Sequence, residues 1–435
     1  MEWALVGKIL IIVNFLIVYL FIFTEKVVDR ITAVLFGIAV SLVVGKFFHL
    51  FSGEDIAKHI DWATLILLFS MMIIVNVLEQ TKLFEYMAVK LVKKFGRHPV
   101  KLLMAFSAAI ALLSTVFANV TAVIVISGVT LVACKLLRVS PVPFLVLEAL
   151  FSNVSGIATM IGDPPNMIIA SAAGFDFNEF IFKIAPAVFI MVVLQLIVVY
   201  FVFKDKFPEV EQSRIDKLSE MRFAASIARN IWRLRIELTI VVLMFIGFFT
   251  ISKYIHEYLI AFIAASLILL VGKVKGEEAI TKVDWSVIVF FGGLFILVGT
   301  LEEVGVINQI ANWLAVVLSK SPIVAAVVLV SVTAGLSAFL DNIPFTVAMA
   351  MVLNSIKTVD VGPFWWVLAM GVGIGGNFTF IGSSPNVYVI SIIEKLGKME
   401  GTPNKTWFKY TWHVNLVAAV LAVLYAIVVV VFKIK

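Results

Sequence analysis

The sequence predicts an all-α polytopic membrane protein of about ten spans. It adds two re-entrant hairpins and two helices broken near the midplane, arranged as two inverted repeats. Three observations carry this. Of the 435 residues, 62% are hydrophobic and 14% charged, and the mean hydropathy is +1.09. Soluble domains run at about 45–50% apolar and about 25% charged. The apolar residues fall into stretches of the roughly 17–25 residues that cross a hydrocarbon core. Two such stretches carry residues that a membrane helix avoids, at matching places in the two halves: Ser152–Asn166 (SNVSGIATMIGDPPN) and Gly373–Asn386 (GIGGNFTFIGSSPN). In the first, Pro164 and Pro165 remove two backbone donors in a row. Paired broken helices are the best sequence pointer to a transporter's binding site.

In chain order, the first half offers spans Trp3–Phe23, Val27–Gly45, Trp62–Leu78, Phe144–Ile161 and Ile181–Phe203. Trp3–Phe23 lacks a small-residue cleavage site, so it reads as a span and not a signal peptide. Thr81–Phe95 is amphipathic with a basic face and suits the headgroup region. Lys101–Leu137 is two apolar arms joined at Phe117–Thr121. The second half offers Glu237–Ile251, Glu257–Val271, Trp285–Leu301, Phe364–Ile381 and Trp412–Phe432, with a second pair of arms, Pro322–Ile356, joined at Leu340–Pro344.

The halves repeat. Asp61-Trp62, Leu78-Glu79 and Asn119 match Asp284-Trp285, Leu301-Glu302 and Asn342 at an offset of 223. At an offset of 220, Gly156, Thr159, Gly162 and Pro165-Asn166 match Gly376, Thr379, Gly382 and Pro385-Asn386. Asp-Trp, Gly and Pro-Asn in register argue for duplication. The expected organisation is a first repeat over 1–203 with hairpin 101–137, a basic linker over 204–235, and a second repeat over 236–435 with hairpin 322–356.

Lys and Arg in the loops set orientation. Lys82, Lys90, Lys93, Lys94, Arg97 and Lys101 follow the third span, and the linker carries eight basic residues, including Arg214, Arg229 and Arg233. Both segments should be cytoplasmic. The connector Gly162–Phe182 has no basic residue and should be external. These assignments agree only if 101–137 enters and leaves on the cytoplasmic side. Lys273, Lys275 and Lys282, then Lys395, Lys398, Lys405 and Lys409, mark the cytoplasm in the second half. The hairpin tipped by Asn342 then enters from outside, five spans per half invert the second repeat, and both termini come out external.

Composition excludes several chemistries. The net charge of +6 resides in loops and does not suggest nucleic acid. The lone Cys134 rules out an intramolecular disulfide. His49, His59, His98, His256 and His413 form no HExxH pattern, and no nucleophile–base pair or metal cluster supports an enzyme.

Polar residues at membrane depth need partners and default to function. The tips offer Asn119 and Thr121, then Asp341, Asn342 and Thr346. The breaks offer Ser152, Asn153, Ser155, Gly156, Thr159, Asp163 and Asn166, then Gly376, Asn377, Thr379, Ser383, Ser384 and Asn386. Unwound carbonyls suit a hard cation such as sodium, with candidate sites at Asn119 and Asn342, and half-helix N-termini suit an anion. Glu148, within a span, is a candidate proton carrier or a partner for a neighbouring helix. Glu79 and Glu302 read as interfacial. No Arg or Lys lies near a tip or break along the chain, which favours small or monovalent ions, or an anion neutralised by co-bound cations.

Phe117–Leu131 (FANVTAVIVISGVTL) and Leu147–Ile169 (LEALFSNVSGIATMIGDPPNMII) resemble the ion transporter superfamily of arsenite permeases and NhaD-type sodium/proton antiporters. Within it the likeness is to the melanosomal P protein group and its prokaryotic relatives, with divalent anion/sodium symporters more distant. The resemblance covers nearly the whole chain. It implies a scaffold and a mobile transport domain, often in a homodimer, moving like an elevator, with cation sites at tips and breaks. The expected function is secondary active transport of a small ion, coupled to sodium or protons, in the cell membrane. Sodium/proton antiport and arsenite or antimonite efflux are alternatives within transport, and a passive channel is the alternative outside it. No cofactor beyond bound sodium is expected.

Overall fold

The structure is a computed structural model that describes residues 2–24, 28–81, 83–211, 231–272, 274–339 and 342–434. Asp341 and residues 212–230 of the linker, with Arg214 and Arg229, lie outside the described residues, as do Lys82 and Lys273.

The first half runs α1 (Glu2–Thr24), α2 (Arg30–Phe47), α3 (Gly53–Ala57), α4 (Trp62–Glu79), α5 (Leu83–Phe95), α6 (Pro99–Ser114), α7 (Asn119–Leu137), α8 (Val142–Gly156), α9 (Pro164–Ala173) and α10 (Phe177–Phe203). The second half follows the same order: α11 (Ile231–Thr250), α12 (Glu257–Gly272), α13 (Gly276–Thr281), α14 (Trp285–Glu303), α15 (Val306–Lys320), α16 (Pro322–Ser337), α17 (Asn342–Ser355), α18 (Gly362–Gly375), α19 (Ser384–Lys395) and α20 (Pro403–Val431). No strand occurs among the described residues. Seven described helices are long and apolar enough to cross a membrane, and shorter apolar helices accompany them. The protein is an all-helical, multi-pass membrane protein.

Local chemistry sets these boundaries. The repeated Asp-Trp pair starts a helix each time: Asp61 accepts from the Thr64 amide at 3.1 Å and Asp284 from the Val287 amide at 3.3 Å, satisfying orphan donors of the first turn. Val27–Gly45 shifts to Arg30–Phe47 because Asp29 caps the helix, accepting from Ile31 and Thr32. α15 falls outside the spans and arms expected from the sequence. Its buried Ile307, Ala311, Leu314, Ala315 and Leu318 follow one helical face. The 223-residue offset carries the start of α5, Leu83, onto its start, Val306.

Packing repeats across the halves. α6 packs on α8 as α16 does on α18; α10 packs on α6 as α20 does on α16; and α5 packs on α7 as α15 does on α17. Between halves, α4 packs on α12 and α14 on α2, while α9 packs on α17 and α19 on α7. Each broken helix therefore lies against the hairpin arm of the other half. Burial is deepest at α8, where every residue is buried, and at α18, where all but Gly362 are.

One polar clasp joins the halves at a helix end. His59, before α4, has Nε2 2.9 Å from Glu303 and Nδ1 3.4 Å from Glu302. A Cβ on Gly299 would lie 2.7 Å from its ring, so only glycine admits the imidazole there. The Glu302 carboxylate, then Glu303, holds the His59 pKa above its ordinary 6.5 against the opposing effect of burial. A raised folded pKa gives stability that is full below the unfolded value and lost as pH rises through the folded one. Purified wild type should therefore lose more melting temperature than His59→Ala between about pH 6 and about pH 9. Equal losses would show that the clasp contributes no pH-dependent stability.

Candidate functional site

Both breaks are real interruptions. α8 stops at Gly156 and α9 starts at Pro164; α18 stops at Gly375 and α19 starts at Ser384. The restarts place proline within the first two helical positions, where its missing N–H costs nothing. The unwound carbonyls find partners within the protein. Asn166 Nδ2 donates to the Gly156 and Thr159 carbonyls at 2.9 and 3.0 Å, and Asn386 Nδ2 donates to the Gly376 and Thr379 carbonyls at 2.8 and 3.1 Å. The Thr159 hydroxyl donates to the Thr115 carbonyl at 2.6 Å and accepts from the Gly162 amide at 3.0 Å. Thr379 does the same with the Ala338 carbonyl and the Gly382 amide. These asparagines and threonines tie each break to itself and to its own hairpin.

The hairpin tips sit against the breaks. Asn119 is 3% exposed and Asn342 is 8% exposed. The Asn119 amide, oriented to satisfy both of its ends, turns its nitrogen to the Ser152 and Gly162 carbonyls at 2.9 and 3.1 Å. Asn342 Oδ1 accepts from Ser337, whose hydroxyl also reaches the Val372 carbonyl at 2.8 Å. A Cβ on Gly156 would lie 2.4 Å from the Asn119 amide, and one on Gly376 would lie 2.9 Å from the Asn342 amide nitrogen. Glycine at each helix end is what lets the tip approach.

Both tips and both breaks line one cavity of about 310 Å³. The first half contributes Asn119, Thr121 and Asp163, and the second contributes Asn342, Ser383 and Ser384. The N-termini of α7, α9, α17 and α19 all reach it. Helix N-termini carry partial positive charge, which favours an anion. Prolines 164 and 165 leave α9 without donors in its first two positions, and the Asn166 amide turns back to the Asp163 carbonyl at 2.9 Å. The α9 terminus therefore acts through its dipole, and not through its first amides.

The fold also brings to this cavity groups that lie far from tips and breaks in the chain. Arg30 and Lys282 line it, with Asn76, Glu79 and Asp284. The expectation that the site lacks Arg or Lys is thereby corrected: linear distance hid them. Arg30 stacks over the Phe290 ring at 5.4 Å, and Lys282 lies 3.2 Å from Glu278. Glu79, read as interfacial, faces the cavity as well. Its counterpart Glu302 is held by His59.

A second cavity of about 410 Å³ lies at the other end of α4. Ala63, Thr64 and Leu67 line it, whereas Leu68, Met72, Val75, Asn76 and Glu79 line the first. Ala63 to Glu79 rises about 24 Å at 1.5 Å per residue. Along α9 the order is reversed: Asp163–Pro165 face the first cavity, and Met167, Ala170 and Ser171 face the second. Leu67, Met160 and Met167, all buried, line the second cavity and not the first.

The remaining candidates lie behind the cavity. Asn153 Nδ2 donates to Asn377 Oδ1 at 2.8 Å and Asn386 Oδ1 at 2.9 Å, and its oxygen accepts from Ser383 at 2.9 Å. The Asn377 carbonyl accepts from Trp407 and Asn415, each at 2.8 Å; neither was singled out in the sequence. Ser152, Ser155 and Thr346 spend their hydroxyls on carbonyls of their own helices, the usual habit of hydroxyls inside helices. Glu148 is fully buried away from both cavities. It accepts from Thr130 at 2.5 Å, and its second oxygen has no hydrogen-bond partner among the described residues.

A helical membrane protein that brings two broken helices and two hairpin tips around one charged cavity has the architecture of an ion transporter. The family model described as "Citrate transporter" matches residues 18–371, and the chain belongs to that family. It is 32% identical to the 46 kDa membrane protein of Mycobacterium leprae, over 92% of this chain and 93% of that one. It is 33% identical to an uncharacterized transporter of Mycobacterium tuberculosis, over 85% and 86%. It is 28% identical to the P protein of Homo sapiens, over 87% of this chain and 55% of the human one.

Proposed function

We propose that this chain is a secondary active transporter that carries a small anion across the membrane, coupled to sodium or protons, by an elevator-type movement. The observation that carries the reading is the single cavity lined by both tips and both breaks. Four helix N-termini, Arg30 and Lys282 favour an anion there. Asn119, Asn342 and Asp163 supply oxygen for a sodium ion, and a co-bound cation would offset the cost of holding an anion beside Asp163. The two cavities at opposite ends of α4 fit access from alternate sides, with the breaks and tips moving as one body against α4 and α14. The family name makes citrate the first anion to test.

The test is citrate uptake by proteoliposomes with sodium and proton gradients imposed separately. Saturable uptake driven by one of them is expected. Asp163→Asn should lower coupled flux by at least about tenfold, the loss that follows from removing one charged ligand. Uptake that ignores both gradients and does not saturate would mean a channel. Sodium movement balanced by protons, with no anion flux, would mean an antiporter.

A further inference from the structure

The two halves match at Gly156, Thr159, Gly162 and Pro165-Asn166 of the first break, and they differ where the helices before the breaks cross. The 220-residue offset that pairs Gly156 with Gly376 also pairs Pro143-Phe144 with Pro363-Phe364, so it holds along α8 and α18. Under it Asn153 corresponds to Gly373, Ile157 to Asn377 and Asp163 to Ser383. α8 and α18 cross where these residues meet, and a repeated architecture makes the crossing twice. One crossing is Asn153 against Asn377, hydrogen-bonded at 2.8 Å. The other is Gly373 against Ile157, where a Cβ on the glycine would lie 2.3 Å from the isoleucine side chain. The same two positions are filled once by a pair of amides and once by a glycine under an aliphatic side chain.

The apolar crossing demonstrates that this fold closes without polar atoms there. The polar version therefore calls for a reason beyond folding, and its bonds supply one. Asn153 holds both Asn386 and Ser383 of the second break, and Ser383 lines the cavity. Asn377 donates to the Leu150 carbonyl at 3.1 Å and is itself held by Trp407 and Asn415 of α20. Through Asn153 the second break is thus fastened across the repeat boundary.

Resting on the transport reading above, we propose that Asn153 and Asn377 are positioning residues for the ion site. They fix Ser383 and the second break where that break lines the cavity. Neither lines the cavity, so they act through Ser383 and Asn386.

The decisive variant rebuilds the other crossing in place of this one: Asn153→Gly with Asn377→Ile. Removing both partners of a buried hydrogen bond is far less costly than stranding one. The double variant should therefore melt no lower than the less stable of the two single variants. Its citrate flux in sodium-loaded and proton-loaded proteoliposomes should fall by more than about tenfold, mainly as a raised apparent KM for the driving cation. Flux and cation KM within about twofold of wild type would overturn the proposal. A double variant that melts below both singles would overturn it too, because the crossing would then serve the fold. If wild type carries neither citrate nor sodium nor protons, the transport reading fails on its own terms, and the melting order still decides whether the polar crossing is needed for folding.

Discussion

Gly162→Ala is expected to abolish transport. A Cβ at Gly162 would lie 2.5 Å from the Ser114 carbonyl oxygen and 2.6 Å from the Gly156 carbonyl oxygen. Both are backbone atoms, so no side-chain rotation relieves the contact. The Gly156 carbonyl is also the acceptor for Asn166, and the Gly162 carbonyl is an acceptor for Asn119. Pushing the turn outward breaks the brace and moves the tip from the break. Overpacking of this kind costs about 1–3 kcal/mol in stability, which a protein of ordinary margin survives. The effect on flux should be much larger, since a displacement of about 1 Å at a positioned site costs about a hundredfold. The matched change Gly382→Ala meets backbone at 2.8, 3.0 and 3.1 Å and should be milder. Expressed and folded Gly162→Ala protein with wild-type flux would show that the turn does not position the site.

Neutralising Arg30 and Lys282 together should lower anion uptake at low substrate by about a hundredfold while leaving the protein folded. Both line the cavity, and neither lies inside a tip or break. At an effective dielectric of about 20, a unit charge about 8 Å from an anion contributes about 2 kcal/mol, equivalent to roughly thirtyfold in affinity. Arg30→Gln and Lys282→Gln should each raise the anion KM by about tenfold or more, and the double variant should multiply the effects if they act independently. The maximal rate should change less than KM, because these charges attract the ion in ground and transition states alike. An unchanged citrate KM in the double variant would remove the electrostatic case for an anion and favour cation exchange. Arg30 also covers the Phe290 ring, so Arg30→Lys, which keeps the charge, separates packing loss from charge loss.

The periodic and punctuating parts of this protein were legible in its sequence. Asp61-Trp62 and Asp284-Trp285 marked two helix starts because a capping carboxylate is a local device. The Pro-Asn pairs marked the breaks because proline in a membrane helix needs local re-satisfaction of the backbone. What the unwound carbonyls do was less legible. They were expected to await an ion, and Asn166, Asn386, Thr159 and Thr379 occupy several of them. A short polar side chain ten residues downstream can fold back to them, and nothing in spacing alone reveals that it does.

The order of the longer apolar helices and the four interrupted places belong to the sequence alone, because apolar run length, capping and proline act over a few residues. Which polar groups face one another was settled only by tertiary structure. Arg30 and Lys282 reach the cavity through the packing of α2 against α14 and of α4 against the other half. Asn153 meets Asn377 more than two hundred residues away because two short helices cross at the centre of the fold. A bilayer demands that every buried polar group find a partner, and it leaves to the packing which partner that is.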